Sequence, residues 1–150
     1  MNRILGIINL HYEKDLGEIT LKRSLGSLTF LGRYSFCDIP LSNFGNSKIN
    51  STANRFISTG PHAYSKGRFK LVFNNCTFNL KDKTELIYFF GTPTNAIIEF
   101  NNCTFNNQGN TYYVNGDYVG SDVKVSIKAN GLNLQKTDKI ADKTGITINK

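Results

Sequence analysis

Residues 69–78 read FKLVFNNCTF, and residues 96–105 read AIIEFNNCTF. The core FNNCTF returns unchanged at an offset of 27 positions, so that Phe73, Cys76 and Phe78 correspond to Phe100, Cys103 and Phe105. A further step of 27 reaches VKVSIKANGL at 123–132. There the identities are lost but the apolar positions hold: Phe69, Ala96 and Val123; Leu71, Ile98 and Val125; Phe73, Phe100 and Ile127; Phe78, Phe105 and Leu132. A fixed period of this length is the signature of a repeat architecture.

Positions 69, 71 and 73 alternate with their neighbours, the period of a strand with one buried face. The Asn-Asn pair that follows tolerates a tight bend, after which positions 76 and 78 point inward again. Stacking equivalent residues at the inter-strand spacing of about 4.8 Å sets Phe on Phe, Cys on Cys and Asn on Asn. One such unit cannot bury its own apolar face, and roughly three are needed. The pattern resembles right-handed parallel β-helix proteins, such as pectate-lyase-like enzymes and phage tailspikes. The expected fold is mainly β: a parallel β-solenoid of about three 27-residue coils, preceded by a short α/β segment.

The repeats occupy 69–132, and the solenoid is expected to run over 69–150, ending in a tail over 136–150 that is polar apart from Ile140, Ile146 and Ile148. Leu86, Tyr113 and Ile140 keep one phase and predict a further inward-facing strand in each coil. Upstream, RILGIINL at 3–10 reads as a buried strand, HYEKDLGE at 11–18 as a polar loop, and Leu25–Leu31 as a second strand. Cys37–Ser47 reads as an amphipathic helix capped by Asp38, with Pro40 in its first turn. Gly45 weakens that helix by about 1 kcal/mol relative to Ala. Residues 50–68 carry STANR, STGPH and YSKGR and read as a loop-like junction.

The 150 residues carry a net charge of +7, with 39% hydrophobic residues, enough for a core. Lys and Arg are scattered and no nucleic-acid motif accompanies them, so a solvated basic surface is expected rather than nucleic-acid binding. Cys37, Cys76 and Cys103 form no CxxC and no disulfide framework. Cys76 and Cys103 read as small apolar residues in a core ladder, and neither His11 nor His62 has a partner at zinc-site spacing. The apolar stretch near residue 4 is too short for a signal peptide or membrane span. No metal, no cofactor and no membrane partner are expected, and the chain reads as cytoplasmic.

Residues 3–49, from LGIINL through LGEITLKRSLGSLTFLGRYSFCDIPLSNFGNSKI, resemble the N-terminus of bacterial glucose-1-phosphate adenylyltransferases (ADP-glucose pyrophosphorylases), closest to the regulatory, GlgD-like subunits. Arg23, Ser27, Phe30, Gly32, Arg33, Tyr34, Asp38, Leu41, Ser42, Asn43, Asn46, Ser47 and Ile49 sit on positions of that family's signature. Catalytic members carry a Gly-rich loop after the first strand that cradles nucleotide phosphates, where this chain has His11–Glu18, and a Lys where it has Leu25. Leu31, Ser35 and Lys48 are further departures. The resemblance therefore implies a partial nucleotidyltransferase-like segment over 1–49, without catalytic residues. The motif matches Arg23, Gly32, Arg33, Tyr34, Asp38, Ser42 and Asn43 carry no implied activity. The family's own C-terminal left-handed helix of hexapeptide repeats has no likeness to FNNCTF at a spacing of 27.

The acids Asp82, Glu85, Glu99, Asp117 and Asp122 do not superpose at that spacing, as paired-carboxylate or calcium-assisted chemistry would need. Tyr88, Tyr112, Tyr113 and Tyr118, lying near Asn and Asp, are the candidate glycan contacts, since sugar rings stack on aromatic faces. Two functions follow. One is a truncated or rearranged, non-catalytic relative of the regulatory subunit, linked to glycogen biosynthesis, with a catalytic adenylyltransferase subunit as partner. The other is a β-helix interaction module, of surface-adhesin or phage-tail type, that binds glycan or protein. Open solenoid ends favour self-association.

Overall fold

The computed structural model describes residues 9–10, 18–21, 27–30, 34–37, 41–59, 69–89, 96–117, 123–140 and 146–149. Its strands are β1 (Asn9–Leu10), β2 (Glu18–Leu21), β3 (Ser27–Phe30), β4 (Tyr34–Cys37), β5 (Leu41–Gly45), β6 (Lys48–Ser51), β7 (Arg55–Thr59), β8 (Phe69–Asn74), β9 (Thr77–Leu80), β10 (Glu85–Phe89), β11 (Ala96–Phe105), β12 (Tyr112–Gly116), β13 (Val123–Asn130), β14 (Leu134–Lys136) and β15 (Ile146–Asn149). A short 3-10 turn, Asp138–Ile140, follows β14. The protein is mainly β, with two curled parallel sheets. The first has ten strands in the order β1-β3-β6-β9-β11-β8-β5-β2, with β13 added on β11 and β15 on β13. The second has five, ordered β14-β12-β10-β7-β4.

The registers follow the repeat. Ala96 pairs with Phe69 and Val123, Ile98 with Leu71 and Val125, and Phe100 with Phe73 and Ile127. Phe73 and Phe100 stack with centroids 4.9 Å apart, and Phe78 and Phe105 do the same at 4.9 Å. Phe56 packs edge-on against Phe78 at 5.5 Å and ties the second sheet to the first. These rings, with Leu71, Leu86, Ile98 and Ile127, are fully buried.

At the bend between β8 and β9, Asn75 adopts φ +53, and Asn102 inside β11 adopts φ +51. Asn is among the few residues that take this left-handed region at modest cost. The next side chain turns inward: Cys76 and Cys103 are buried, and each thiol approaches the carbonyl two residues before it at 3.5 Å. Polar side chains also form ladders. Asn79 donates to Asn50 at 2.8 Å, and Asn106 donates to Asn79 at 3.0 Å. Asn101 likewise donates to Asn74 at 3.0 Å.

The structure corrects the helix expected over Cys37–Ser47. Cys37 ends β4, Leu41–Gly45 is β5, and Asn46 has φ +50. NFGNSKI is a further copy of the repeat: Phe44 stacks on Phe73 at 5.3 Å, Asn46 takes the bend, and Ser47 and Ile49 are buried where Cys76 and Phe78 follow. The α/β character expected before the repeats is absent from the described residues, which are strands there. A ladder of ring stacking and parallel hydrogen bonds outweighs the weak local preference of Asp38 and Pro40 for a helix start. Part of the segment expected as loop is also strand, since β6 and β7 lie within 48–59. The strands on either side of it pair directly, Phe44 with Phe73 and Ile49 with Phe78.

Two phases are corrected as well. An irregularity between Glu85 and Ile87 puts Glu85 opposite Tyr113 but Ile87 opposite Val114. One extra residue swaps the faces of a strand, so Tyr112 and Val114 are buried while Tyr113 is half-buried; Leu86 and Ile140 are buried. In the last repeat the register slips after Phe100–Ile127, and Cys103 pairs with Ala129. The partner position of Phe105 thereby becomes Gly131 rather than Leu132. A Cβ added at Gly131 would lie 2.5 Å from the Phe105 carbonyl oxygen.

Candidate functional site

The second sheet sets polar side chains from three of its strands, and from residues just after β12 and β14, into one network. Parallel pairing places Arg55 of β7 opposite Glu85 of β10, and Ser58 opposite Tyr88, which in turn lies opposite Asn115 of β12. Arg55 Nε donates to Glu85 Oε2 at 2.7 Å, with both side chains about a quarter exposed. Asn115 Nδ2 donates to Glu85 Oε1 at 2.7 Å. The Asn115 oxygen accepts from the Thr137 hydroxyl at 2.7 Å and from the Gly116 N–H at 2.8 Å.

The Arg55 guanidinium also lies over the Tyr88 ring, 3.5 Å from its centroid. The Tyr88 hydroxyl donates to Asp117 Oδ1 at 3.0 Å, and Lys139 Nζ approaches that oxygen at 3.6 Å. Burial, followed by the hydrogen bond to Asp117, pushes the Tyr88 phenol above its usual range and keeps it a donor. Both Glu85 oxygens are occupied by strong donors, so the carboxylate is a fixed acceptor within the network. The arrangement is a polar network whose groups are held by one another. Among the described residues, no three His, Cys, Asp or Glu side chains converge as a metal site would require.

The residues singled out by sequence are dispersed. Tyr34 is on β4 in the second sheet, opposite Arg55, whereas Ser42 and Asn43 are on β5 in the first. Asn43 is half-buried and accepts from Asn74 at 3.4 Å. Arg23, Gly32, Arg33 and Asp38 lie outside the described residues, as does Tyr118. The three described tyrosines, Tyr88, Tyr112 and Tyr113, do not make one aromatic face. Tyr112 has no exposed surface: its ring packs on Phe105 at 5.6 Å and its hydroxyl donates to the Leu80 carbonyl at 3.3 Å. Tyr88 is covered by Arg55, and Tyr113 is half-buried. A ring closed off by its own protein offers no stacking face to a sugar, which corrects the reading for Tyr88 and Tyr112.

Arg55, Asn115 and Thr137 do not stand out in the sequence. Their spacing explains why. Arg55 and Glu85 are 30 positions apart, Glu85 and Asn115 again 30, and Asn115 and Thr137 22. Connections of unequal length shift the second sheet out of the period of 27 seen in the first.

With this geometry in place, comparison with known proteins gives an informative likeness. The chain is 31% identical over 97 residues to the glycogen biosynthesis protein GlgD of Bacillus subtilis. The match covers 61% of this chain, more than all of the residues before Phe69, and so runs into the repeats rather than ending at Ile49. The chain spans about a quarter (26%) of the length of that relative. No family model matches the chain, and no solved structure matches it. Among the described residues, no helix is long and apolar enough to cross a membrane.

Proposed function

We propose that this chain is a non-catalytic relative of GlgD, built as a parallel β-solenoid, that acts in glycogen biosynthesis as a regulatory partner of a catalytic adenylyltransferase subunit. The observation that carries this reading is the 31% identity to GlgD, sustained over 97 residues. The solenoid reading is supported by the stacked phenylalanines, the left-handed Asn at successive bends and the parallel pairing of the described strands. A non-catalytic role is supported by His11–Glu18 in place of a phosphate-cradling Gly-rich loop. The closed network around Glu85, with both carboxylate oxygens held, also favours recognition over chemistry. Its rigid polar surface suits a protein partner, where positioned charges set specificity and association rate.

The test is co-purification with a catalytic glucose-1-phosphate adenylyltransferase subunit from the same source, followed by assay of the mixture. Association with a changed activity is the expected result. A folded, β-rich chain that neither associates nor alters activity overturns the partnership and leaves the interaction-module reading in its place.

A further inference from the structure

The last repeat takes a short cut. In the preceding one, Phe105 is followed by a turn through Gln108–Gly109 before Tyr112 opens β12. Tyr112 pairs with Leu134, while the Phe105 level is taken by Gly131 after the register slip. The stretch from Gly131 to Leu134 is therefore four residues shorter than the stretch from Phe105 to Tyr112. Gly131, at φ +73, makes the sharper turn. The longer turn of one repeat consequently overhangs the shorter turn of the next. The space between them is an open recess of about 410 Å³, lined by Gln108, Gly109, Ala129, Asn130, Gly131, Leu132 and Asn133.

The lining has a specific chemistry. It contains three carboxamides, from Gln108, Asn130 and Asn133, two glycine backbones, and an apolar floor of Ala129 and Leu132, with no charged side chain. The Asn133 side chain is oriented by donating from Nδ2 to Thr111 Oγ1 at 3.1 Å, and its Oδ1 is an acceptor. Asn130 ends the polar row Lys48–Thr77–Thr104–Asn130, set by strand pairing. A volume of this size falls in the range of small-ligand sites, and neutral amide groups over an apolar floor match hydroxyls on one side of a ligand and C–H groups on the other. The absence of charge from the lining disfavours a phosphate or carboxylate ligand, whose desolvation would go uncompensated.

We infer that this recess binds a neutral oligosaccharide, one or two sugar units of a glucan chain. The inference rests on the proposed link to glycogen biosynthesis for the choice of glucan, and on the recess itself for the class of ligand. Isotope-labelled full-length protein titrated with maltotriose is expected to show amide shifts confined to residues 108–111 and 129–133. Glucose 6-phosphate is expected to leave them unmoved. The double variant Gln108→Ala/Asn130→Ala changes two exposed side chains, so the fold is retained; its maltotriose affinity is expected to fall at least ~10-fold, the loss of one or two ligand hydrogen bonds. Shifts elsewhere, no shifts, an equal response to glucose 6-phosphate, or an unchanged affinity in the folded double variant would each overturn the inference. The unmutated protein, taken through both assays, separates the two claims. Association without sugar binding overturns only the recess, and sugar binding without association overturns only the partnership.

Discussion

The guanidinium carbon of Arg55 sits 3.5 Å from the centre of the Tyr88 ring, while Arg55 Nε pairs with Glu85 on the neighbouring strand. One side chain thus performs two tasks: it covers an aromatic face and neutralises a carboxylate. Arg55→Ala is expected to cost about 1–2 kcal/mol, since a partly exposed ion pair contributes little by itself and the cation–π contact adds a comparable amount. Arg55→Lys is expected to recover less than half of that, because an ammonium lacks the planar fork that pairs and stacks together. Urea unfolding at low and high salt measures both, and the salt-sensitive part of the loss reports the ion pair.

The phenylalanine ladder is the larger contributor to stability. Phe100 stacks on Phe73 and tilts against Phe78 and Phe105, with no exposed surface. Phe100→Ala is expected to destabilise by about 3–5 kcal/mol, enough to leave a chain of ordinary stability largely unfolded. Phe100→Leu keeps most of the volume and is expected to remain folded with a lower unfolding midpoint, read by circular dichroism.

The bends test backbone conformation in isolation. Asn75 and Asn102 are exposed and left-handed. Asn75→Gly is expected to be close to neutral, and Asn75→Val to cost about 1–2 kcal/mol, because a β-branched side chain is strained at positive φ. Denaturation midpoints of the two variants should differ in that order; equal midpoints would show that the bend is not held left-handed in solution.

The core thiols give a pH prediction. Burial pushes the Cys103 thiol up to about 12 from 9.0, and raises Cys76 in the same direction. In the unfolded chain these thiols ionise first, so it releases protons that the folded chain retains, and stability declines as pH rises. The contribution is complete below about pH 9 and is lost between there and about pH 12. Tyr88 and Tyr112, both raised by burial, add a decline in the same direction above 10.0. In a Cys37→Ser background, iodoacetamide at pH 8 is expected to label neither core thiol in native protein and both in urea.

Gly116 tests the tightest approach in the second sheet. An added Cβ would lie 2.7 Å from the Phe89 Cβ and 2.8 Å from its carbonyl oxygen. Gly116→Ala is expected to cost about 1–3 kcal/mol through overpacking, and Phe89→Leu, which leaves both of those atoms in place, is expected not to relieve it. Thermal unfolding of the single and double variants measures the effect.

The parts of the fold that the sequence makes legible are those where neighbours are nearly identical. FNNCTF fixes the pairing of Phe73 with Phe100 and the inward turn of Cys76 and Cys103. NFGNSKI follows the same path, but Gly45, Ser47 and Lys48 replace the Asn, Cys and Thr that identify the motif, and the spacing from Phe44 to Phe73 is 29. Asp38 and Pro40 meanwhile imitate the start of a helix. That local propensity is worth tenths of a kcal/mol, whereas stacking and register across strands decide the outcome. The Arg55–Glu85–Asn115 network is hidden for a related reason: the connections into the second sheet vary in length, so its partners do not share the period of the first. The phase of Tyr113 points to the wrong face because a single bulge at Glu85–Ile87 cannot be seen in the alternation of one strand.

The pairing of Phe73 with Phe100 bears on how such a chain changes over generations. Because the two copies of FNNCTF are identical, excising residues 74–100 joins Phe73 to Asn101 and restores FKLVFNNCTF without a scar. Every bend and inward position on either side of the join keeps the residue type it already had. Misaligned recombination between the two copies can therefore delete or duplicate a whole unit while leaving an intact motif at the seam.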